Sequence, residues 1–188
     1  DYLVIILAAI LSGSLGIKIF GFFFKHKRKQ TAEDFFNDTK EVISIINELV
    51  TNPSIDRVLL FRGGNGGAVP RIGKDYYLKA IFEAHKNPPQ VSLLKTYSDV
   101  IPDSFYMTML LNLMEHKWET FKVSTMNDSL LKKIYMAENI KLSKVFLLHQ
   151  TKEYIFYGSI ATIQDSVDFD NDILVKLQIE SAVSKLRK

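Results

Sequence analysis

The sequence contains no cysteine. This absence excludes disulfide bonds, thiolate nucleophiles, thiolate metal sites and chromophores linked through cysteine. The four histidines (His26, His85, His116 and His149) are scattered, and no two stand at the spacing of metal ligands. No serine lies in a nucleophile-elbow motif. We therefore expect no metal site, no catalytic residue and no enzymatic activity.

A strong charge of one sign is also missing from most of the chain. The 188 residues include 24 Lys and Arg against 21 Asp and Glu, a formal net charge of +3. Five of the basic residues lie within the first 29 positions, where Asp1 is the single acid. The rest of the chain is close to neutral, and it lacks the clustered basic residues that displace counterions from nucleic acid. Nucleic acid is therefore not an expected partner.

The longest hydrophobic run is YLVIILAAILSGSLGIKIFGFFF, residues 2–24, whose only charge is Lys18. A helix of this length, at about 1.5 Å per residue, crosses a hydrocarbon core of roughly 30 Å. A buried core helix is the alternative, but it agrees poorly with a run so continuously apolar. The sequence predicts one transmembrane helix over residues 1–24.

A basic juxtamembrane segment, residues 25–30, follows this run directly. Its positive residues can contact anionic lipid headgroups: Lys25, Lys27, Arg28 and Lys29. Positive charge beside a span is retained on the cytoplasmic side. We therefore expect a single-pass protein of the cytoplasmic (inner) membrane, with its amino terminus outside and residues 31–188 as a cytoplasmic domain.

Residues 31–188 combine helical and strand patterns. Helices are predicted over 31–50, 74–85, 104–118, 129–139 and from about residue 170. Strands are predicted over 57–62, 91–97, 119–125, 144–150 and 153–164. Several of the strand runs are apolar at consecutive positions, which indicates a sheet covered on both faces. The last two runs are so close that they are predicted to pair as an antiparallel hairpin.

The order of these elements resembles that of GAF domains over 31–188, most clearly at the carboxyl end. There the hairpin KVFLLHQTKEYIFYGSIATIQ contains a small residue, Gly158, and is followed by Phe169, Asp172 and an amphipathic helix. The resemblance implies an α/β (α+β) fold, a GAF-like central antiparallel sheet of about five strands with helices on both faces. It places the first and last helices on one face and a ligand pocket on the other. PAS-like or profilin-like arrangements give the same order of elements.

Two groups of residues are candidates for ligand binding. The string RGGNGGAVP after the first strand has the glycines of a phosphate-binding loop but lacks the Lys-Ser/Thr ending of a P-loop. We favour a flexible or tightly turned strand exit there, and the functional alternative is that Arg62 and Asn65 border a pocket. The resemblance implies a second group near the third strand and the following short helix: Tyr97, Asp99, Thr125, Asn127, Asp128 and Tyr135. Asn127 and Asp128 have a simpler role as caps of the helix that starts near Ser129.

These patterns together predict a membrane-anchored GAF-like sensory or signalling domain that binds a small molecule or a protein partner. The alternative is a membrane-tethered scaffold or interaction protein whose GAF-like domain lacks a ligand. Homo-oligomers could form through the first and last helices, as GAF-like domains often do. No cofactor is predicted, and the chain lacks the Asn-Lys pair and final Glu of cyclic-nucleotide-binding members. A cavity bordered by Tyr97, Thr125, Asn127 and Tyr135 would favour the sensor, and a packed interior would favour the scaffold.

Overall fold

A computed structural model of the chain describes residues 32–64, 76–87, 92–98, 100–151 and 154–186. The predicted transmembrane helix and the basic segment after it lie outside these residues. Within the described ranges, no helix combines the length and the apolar character that crossing a membrane requires. The chain divides into two units, residues 1–39 and 40–188, and the sheet belongs to the second.

A five-stranded antiparallel sheet of order β2-β1-β5-β4-β3 forms the centre of the second unit. Its strands are β1 (Arg57–Gly64), β2 (Tyr77–His85), β3 (Trp118–Lys122), β4 (Leu142–Gln150) and β5 (Tyr154–Thr162). The helices are α1 (Ala32–Val50), α2 (Leu93–Thr96), α3 (Ser104–His116), α4 (Leu130–Ala137) and α5 (Ile173–Leu186). A 3-10 turn over Val123–Thr125 follows β3, so the strand predicted over 119–125 ends early. The predicted antiparallel sheet and the β4–β5 hairpin are confirmed.

Helices cover both faces of the sheet, as predicted. The carboxyl half of α1 packs with α5 on one face, the α1–α5 face, against strand residues Val58, Leu60, Phe146, Leu148 and Ile160. The other face, the α2–α4 face, is covered by residues of α3, α4 and the α2 region, which pack on Leu59, Phe61, Val145, Leu147 and Tyr157. Successive strand residues point to opposite faces. The consecutive apolar residues of β1 and β4 therefore fill two cores at once.

The helix predicted over 74–85 is wrong, because residues 77–85 form β2 at one edge of the sheet. Leu78, Ala80 and Ala84 are two and four positions apart, and four positions is also a helical spacing. The apolar pattern is thus compatible with both structures. Pairing with β1 decides for the strand, since β1 has a neighbour on each side.

A bulge in β2 changes which of its side chains face the α2–α4 layer. The pairing with β1 shifts register at Ile81, which is the extra residue. Beyond the bulge His85 pairs with Arg57, and Glu83 pairs with Leu59. Cross-strand partners share one face of a sheet, and Leu59 belongs to the core of the α2–α4 face. The bulge therefore brings a histidine and a glutamate onto that face.

The strand predicted over 91–97 is also wrong, because its centre forms α2. The hydroxyl of Ser92 accepts a hydrogen bond from the amide of Leu94. One carboxylate oxygen of Glu83 accepts from the amides of Leu93 and Leu94 at 2.8 and 3.2 Å. The first amides of a helix need such acceptors. One of the two capping side chains, Glu83, belongs to β2 and not to the segment itself. The local sequence therefore contained only part of the signal for a helix.

Candidate functional site

Aromatic side chains fill the α2–α4 face beside β1 and β5. Phe61 stacks on Tyr157 with ring centroids 4.8 Å apart, and it meets Tyr97 edge-on at 5.2 Å. The hydroxyl oxygens of Tyr106 and Tyr157 lie 2.9 Å apart and share a hydrogen bond. The three tyrosines are only 1–2% exposed, and burial raises the pKa of each hydroxyl. They are therefore neutral, and they pack the face on which the resemblance places a ligand pocket.

A charged side chain, Arg57, lies in the same layer. It is the first residue of β1 and is 3% exposed. Its guanidinium forms an ion pair with Glu138, the residue that ends α4. The guanidinium carbon is 5.9 Å from the ring centroid of Tyr97 and 5.7 Å from that of Tyr135. A buried charge costs several kcal/mol of lost hydration, which a partner and aromatic faces offset only in part. An arginine in this position calls for a specific role.

His85 and Glu83 extend this polar region along β2. The Nε2 atom of His85 lies 3.6 Å from a carboxylate oxygen of Glu83. Burial lowers the pKa of His85, Glu83 opposes that shift, and the positive charge of Arg57 adds to it. The imidazole of His85 therefore stays neutral down to a lower pH than an ordinary histidine. We refer to the six residues Arg57, Glu83, His85, Tyr97, Tyr135 and Glu138 as the Arg57 cluster.

Several buried polar atoms of the Arg57 cluster have no hydrogen-bond partner among the described residues. They are the Tyr97 hydroxyl, His85 Nε2, the guanidinium nitrogens of Arg57 and the two carboxylate oxygens of Glu138, the last two groups being joined by their ion pair. Buried polar groups are nearly always hydrogen-bonded in proteins, so each such atom calls for an explanation. Tyr97, His85 and Arg57 can donate hydrogen bonds, whereas the oxygens of Glu138 only accept, so donors outnumber acceptors in this set. The cluster therefore suits an acceptor, and a carboxylate or phosphate would form the strongest bonds with it.

The Arg57 cluster does not have the composition of a metal centre. Within the part of the chain that the structure describes, no three His, Asp or Glu side chains come together as metal ligands. Its two acids are engaged, Glu138 with Arg57 and Glu83 with the first amides of α2. The arrangement can hold and orient an anionic group.

The structure brings together two of the predicted site residues. Tyr97 and Tyr135 are both buried, and both lie near the guanidinium of Arg57. Arg62 lies elsewhere, because it pairs with Phe156 of β5 and its guanidinium is 5.9 Å from that ring. Phe156 packs against the core of the α1–α5 face. Arg62 is therefore on the opposite side of the sheet from the two tyrosines.

The remaining predicted site residues do not join the Arg57 cluster. Thr125, Asn127 and Asp128 are exposed. The predicted capping by Asn127 and Asp128 is wrong, since the hydroxyl of Ser129 accepts the bond from the amide of Lys132 that begins α4. The residues that lie outside the described ranges are Asn65, Asp99, Lys25, Lys27, Arg28 and Lys29.

Two open grooves border β3. One, of about 380 Å³, is lined by Thr125 together with Thr120, Lys122 and Asp170. The other, of about 470 Å³, is mostly apolar, and its lining includes Trp118, Phe146, Ile179 and Val183. Thr125 thus lines a surface groove, whereas Tyr97 and Tyr135 lie in the core.

Sequence reasoning missed most of the Arg57 cluster. One signal was available: Arg57 begins the run RVLLFR, and an arginine at the start of a strand covered on both faces needs a buried partner. That partner, Glu138, comes from α4, and no local pattern connects the two. His85 and Glu83 belong to the segment predicted as a helix, so their position beside Arg57 was not expected.

No protein-family model and no curated protein matches the sequence. Solved structures of GAF domains match the fold. The GAF domain of a two-component sensor histidine kinase from Bacillus halodurans is 12% identical with a TM-score of 0.54, covering 84% of this chain and 92% of that one. The phycocyanobilin-bound GAF domain of a cyanobacterial phytochrome is 14% identical with a TM-score of 0.53, covering 78% and 80%. A GAF domain/HD domain protein from Geobacter sulfurreducens is 10% identical with a TM-score of 0.55, covering 80% and 89%.

At these identities the likeness establishes the fold alone. The chain has a GAF-like α/β fold, with a five-stranded antiparallel sheet between two helical layers. The resemblance read from the carboxyl-terminal hairpin and helix is thereby confirmed at the level of the fold.

Proposed function

We propose that this chain is a membrane-anchored, GAF-like sensory domain that binds a small anionic molecule at the Arg57 cluster. The observation that carries the proposal is the buried Arg57, whose guanidinium lies among the rings of Tyr97 and Tyr135 and beside donors without partners. A buried charge is costly to desolvate, so an arginine retained there agrees with a binding role. Binding would change the packing of α4, since Glu138 joins Arg57 to the end of that helix.

Two of the matching structures support a sensory role by analogy. One is part of a two-component sensor histidine kinase, and another is a phytochrome domain with bound phycocyanobilin. A chromophore attached through cysteine is excluded for this chain, which has none. A ligand here would be held without a covalent bond to sulfur. We further propose that the domain signals without catalysing a reaction.

Membrane anchoring is part of the proposal and rests on the sequence. The apolar run 2–24 is long enough to span the bilayer, and the basic segment 25–30 follows it. We propose a single span with the amino terminus outside and the GAF-like domain in the cytoplasm. Residues 31–50 would connect the membrane to the domain.

A second function, a tethered interaction protein without a ligand, is favoured by the packing of the α2–α4 face. Tyr97, Tyr106 and Tyr157 are almost fully buried there. A ligand on this face would have to take the space that these side chains fill. Partner contacts would then use the surface. Exposed apolar residues of α5, Ile173, Leu174 and Leu177, support association through the last helix, which stays a prediction.

The predicted topology can be tested with two fusions. A reporter that is active only in the cytoplasm, joined after Lys188, is expected to be active. A reporter that is active only outside the cytoplasm, joined at the same point, is expected to be silent. Reporter activity is measured in intact cells. Membrane association is measured by extracting the isolated membranes with alkaline carbonate, after which an integral membrane protein stays in the membrane pellet. The reverse pattern from stably expressed fusions would contradict the proposed orientation.

Ligand binding can be tested on the full chain purified in detergent from the cells that express it. Small molecules released by denaturation are identified by mass spectrometry. The wild type is expected to contain an anionic compound at about one per chain. The matched control is the double variant Arg57→Met/Glu138→Met, which keeps the core apolar and is expected to contain none. The same small molecules from both proteins would favour the interaction protein over the sensor.

A further inference from the structure

The two edges of the sheet differ in how they are covered. Beside β2, the amide of Leu78 donates to the carbonyl of Val100 at 2.9 Å, and the amide of Ala80 donates to that of Tyr97 at 3.0 Å. At the other edge β3 pairs with β4 alone among the described strands. An edge that is not covered presents amide and carbonyl groups that can pair with another chain. β3 is therefore the open edge of the described sheet.

The backbone groups at this open edge follow from the bonds between β3 and β4. The amide of Leu147 donates to the carbonyl of Lys117 at 2.8 Å. Hydrogen-bonded and non-bonded pairs alternate along an antiparallel ladder, so the odd-numbered residues of β3 bond to β4. The backbone groups that point away from β4 are those of Trp118, Thr120 and Lys122.

We propose that two copies of this chain pair through β3, antiparallel, around a two-fold axis at Thr120. In this register Thr120 faces Thr120 of the second copy, Trp118 faces Lys122, and Glu119 faces Phe121. Two β-branched side chains pack well across paired strands, as valine also would. Lys122 would join the lysines that already lie beside the Trp118 ring, Lys144 at 5.6 Å and Lys176 at 6.0 Å from its centroid. A register centred on Lys122 would instead oppose two lysines. The strand WETFK is thus complementary to itself in one register.

The exposure and the limits of β3 agree with this pairing. Trp118 is 47% exposed although it is the largest side chain of the strand, and Lys122 is exposed at the other end. The open edge is bounded on one side by Lys117, whose φ of 72° turns the chain, and on the other by the 3-10 turn Val123–Thr125. Five residues therefore lie between these limits. The Lys122 carbonyl already accepts a hydrogen bond from the Thr125 hydroxyl at 3.0 Å, so the two-fold register bonds through the outward groups of Trp118 and Thr120 and through the Lys122 amide. A pairing of this kind closes on itself at two copies.

A single cysteine introduced into the full chain tests the register, because the natural sequence has no other. Hydrogen-bonded antiparallel partners have Cα atoms about 5.5 Å apart, within the range for a disulfide. After mild oxidation of the detergent-purified protein, Thr120→Cys is expected to run mostly as a dimer on a non-reducing gel. Lys122→Cys is the matched control, since its two copies would be separated by four positions, roughly 14 Å. It is expected to stay monomeric.

Two further variants test the backbone bonds themselves. Thr120→Pro removes the outward amide, which an edge strand tolerates, whereas Thr120→Val keeps it. Both lose the hydroxyl bond to Asp170 at 2.9 Å. Proline is expected to raise the dimer dissociation constant at least about ten-fold, and valine is expected to change it by less than about two-fold. Far-UV circular dichroism checks that both variants fold.

The proposal is overturned if Thr120→Cys remains monomeric, or if Lys122→Cys forms a disulfide equally well. A dimer formed through the helices, or a different protein on β3, would give the first of these results. Equal effects of proline and valine would also overturn it. If proline prevents folding, the two cysteine variants still decide the question.

Discussion

Replacing Glu138 by glutamine is expected to lower the free energy of unfolding by about 3–5 kcal/mol. The side chain of Arg57 is only 4% exposed, so the variant would leave a positive charge in the core without its counter-charge. The nearby rings of Tyr97 and Tyr135 offset about 1–2 kcal/mol of this cost. Chemical denaturation of the purified chain, followed by circular dichroism, measures the change.

The double variant Arg57→Met/Glu138→Met separates charge from packing. It removes both charges and keeps apolar volume, and buried ion pairs can often be replaced in this way at little cost. We expect it to be more stable than Glu138→Gln. As a surface control, Asp128→Asn breaks the exposed pair with Lys133 and is expected to change stability little. If the single and double variants were equally destabilised, lost packing and not an unpaired charge would be the cause.

Replacing Gly158 by alanine is expected to destabilise the domain by at least about 2 kcal/mol. A Cβ atom at this position would overlap the ring of Phe146, its cross-strand partner on β4. Phe146 is 1% exposed and is packed in the core of the α1–α5 face, so its ring has little room to move. Thermal and urea unfolding of the variant measure the loss.

A compensating change on β4 tests whether this overlap is the cause. Phe146→Leu alone removes part of a buried ring and is expected to be destabilising. Combined with Gly158→Ala, the smaller side chain leaves space for the new methyl group. The double variant is therefore expected to be more stable than the sum of the two single losses predicts. Additive losses would contradict a direct clash between the two positions.

Much of the architecture could be predicted from local patterns. The hairpin of β4 and β5 was recognised because two apolar runs leave room only for a tight turn. The helices α3, α4 and α5 were recognised because their apolar residues recur at helical spacing. These signals are short-range, so they survive in the folded protein.

The errors were made where a long-range contact decides the local structure. Residues 77–85 are a strand because they pair with β1, and residues 93–96 are a helix because Glu83 accepts their first amide bonds. The first segment was therefore predicted as a helix and is a strand, and the second was predicted as a strand and contains a helix. The number of strands was still right, since one wrong helix and one wrong strand compensated each other.

The candidate site depends even more on long-range contacts than the secondary structure does. Tyr97 and Tyr135 were identified from their chemistry and from the resemblance, and both lie near Arg57. The remaining members of the Arg57 cluster come from β1, β2 and the end of α4. Their meeting depends on strand register and on one bulge at Ile81. A one-residue change of register moves every following side chain to the other face, and no sequence pattern fixed that register here.

What the residues alone established is the absence of cysteine chemistry, the near-neutral domain, the long apolar run with its basic flank, and a sheet between two helical layers. Composition and short-range periodicity suffice for these features, because they do not depend on which distant segments meet. Only the folded chain decided that the α2–α4 face is packed with tyrosines around a buried ion pair, and that β3 is an edge strand with one neighbour among the described strands. Both depend on pairing between elements far apart in the sequence, where each contact is set by the geometry of the whole sheet.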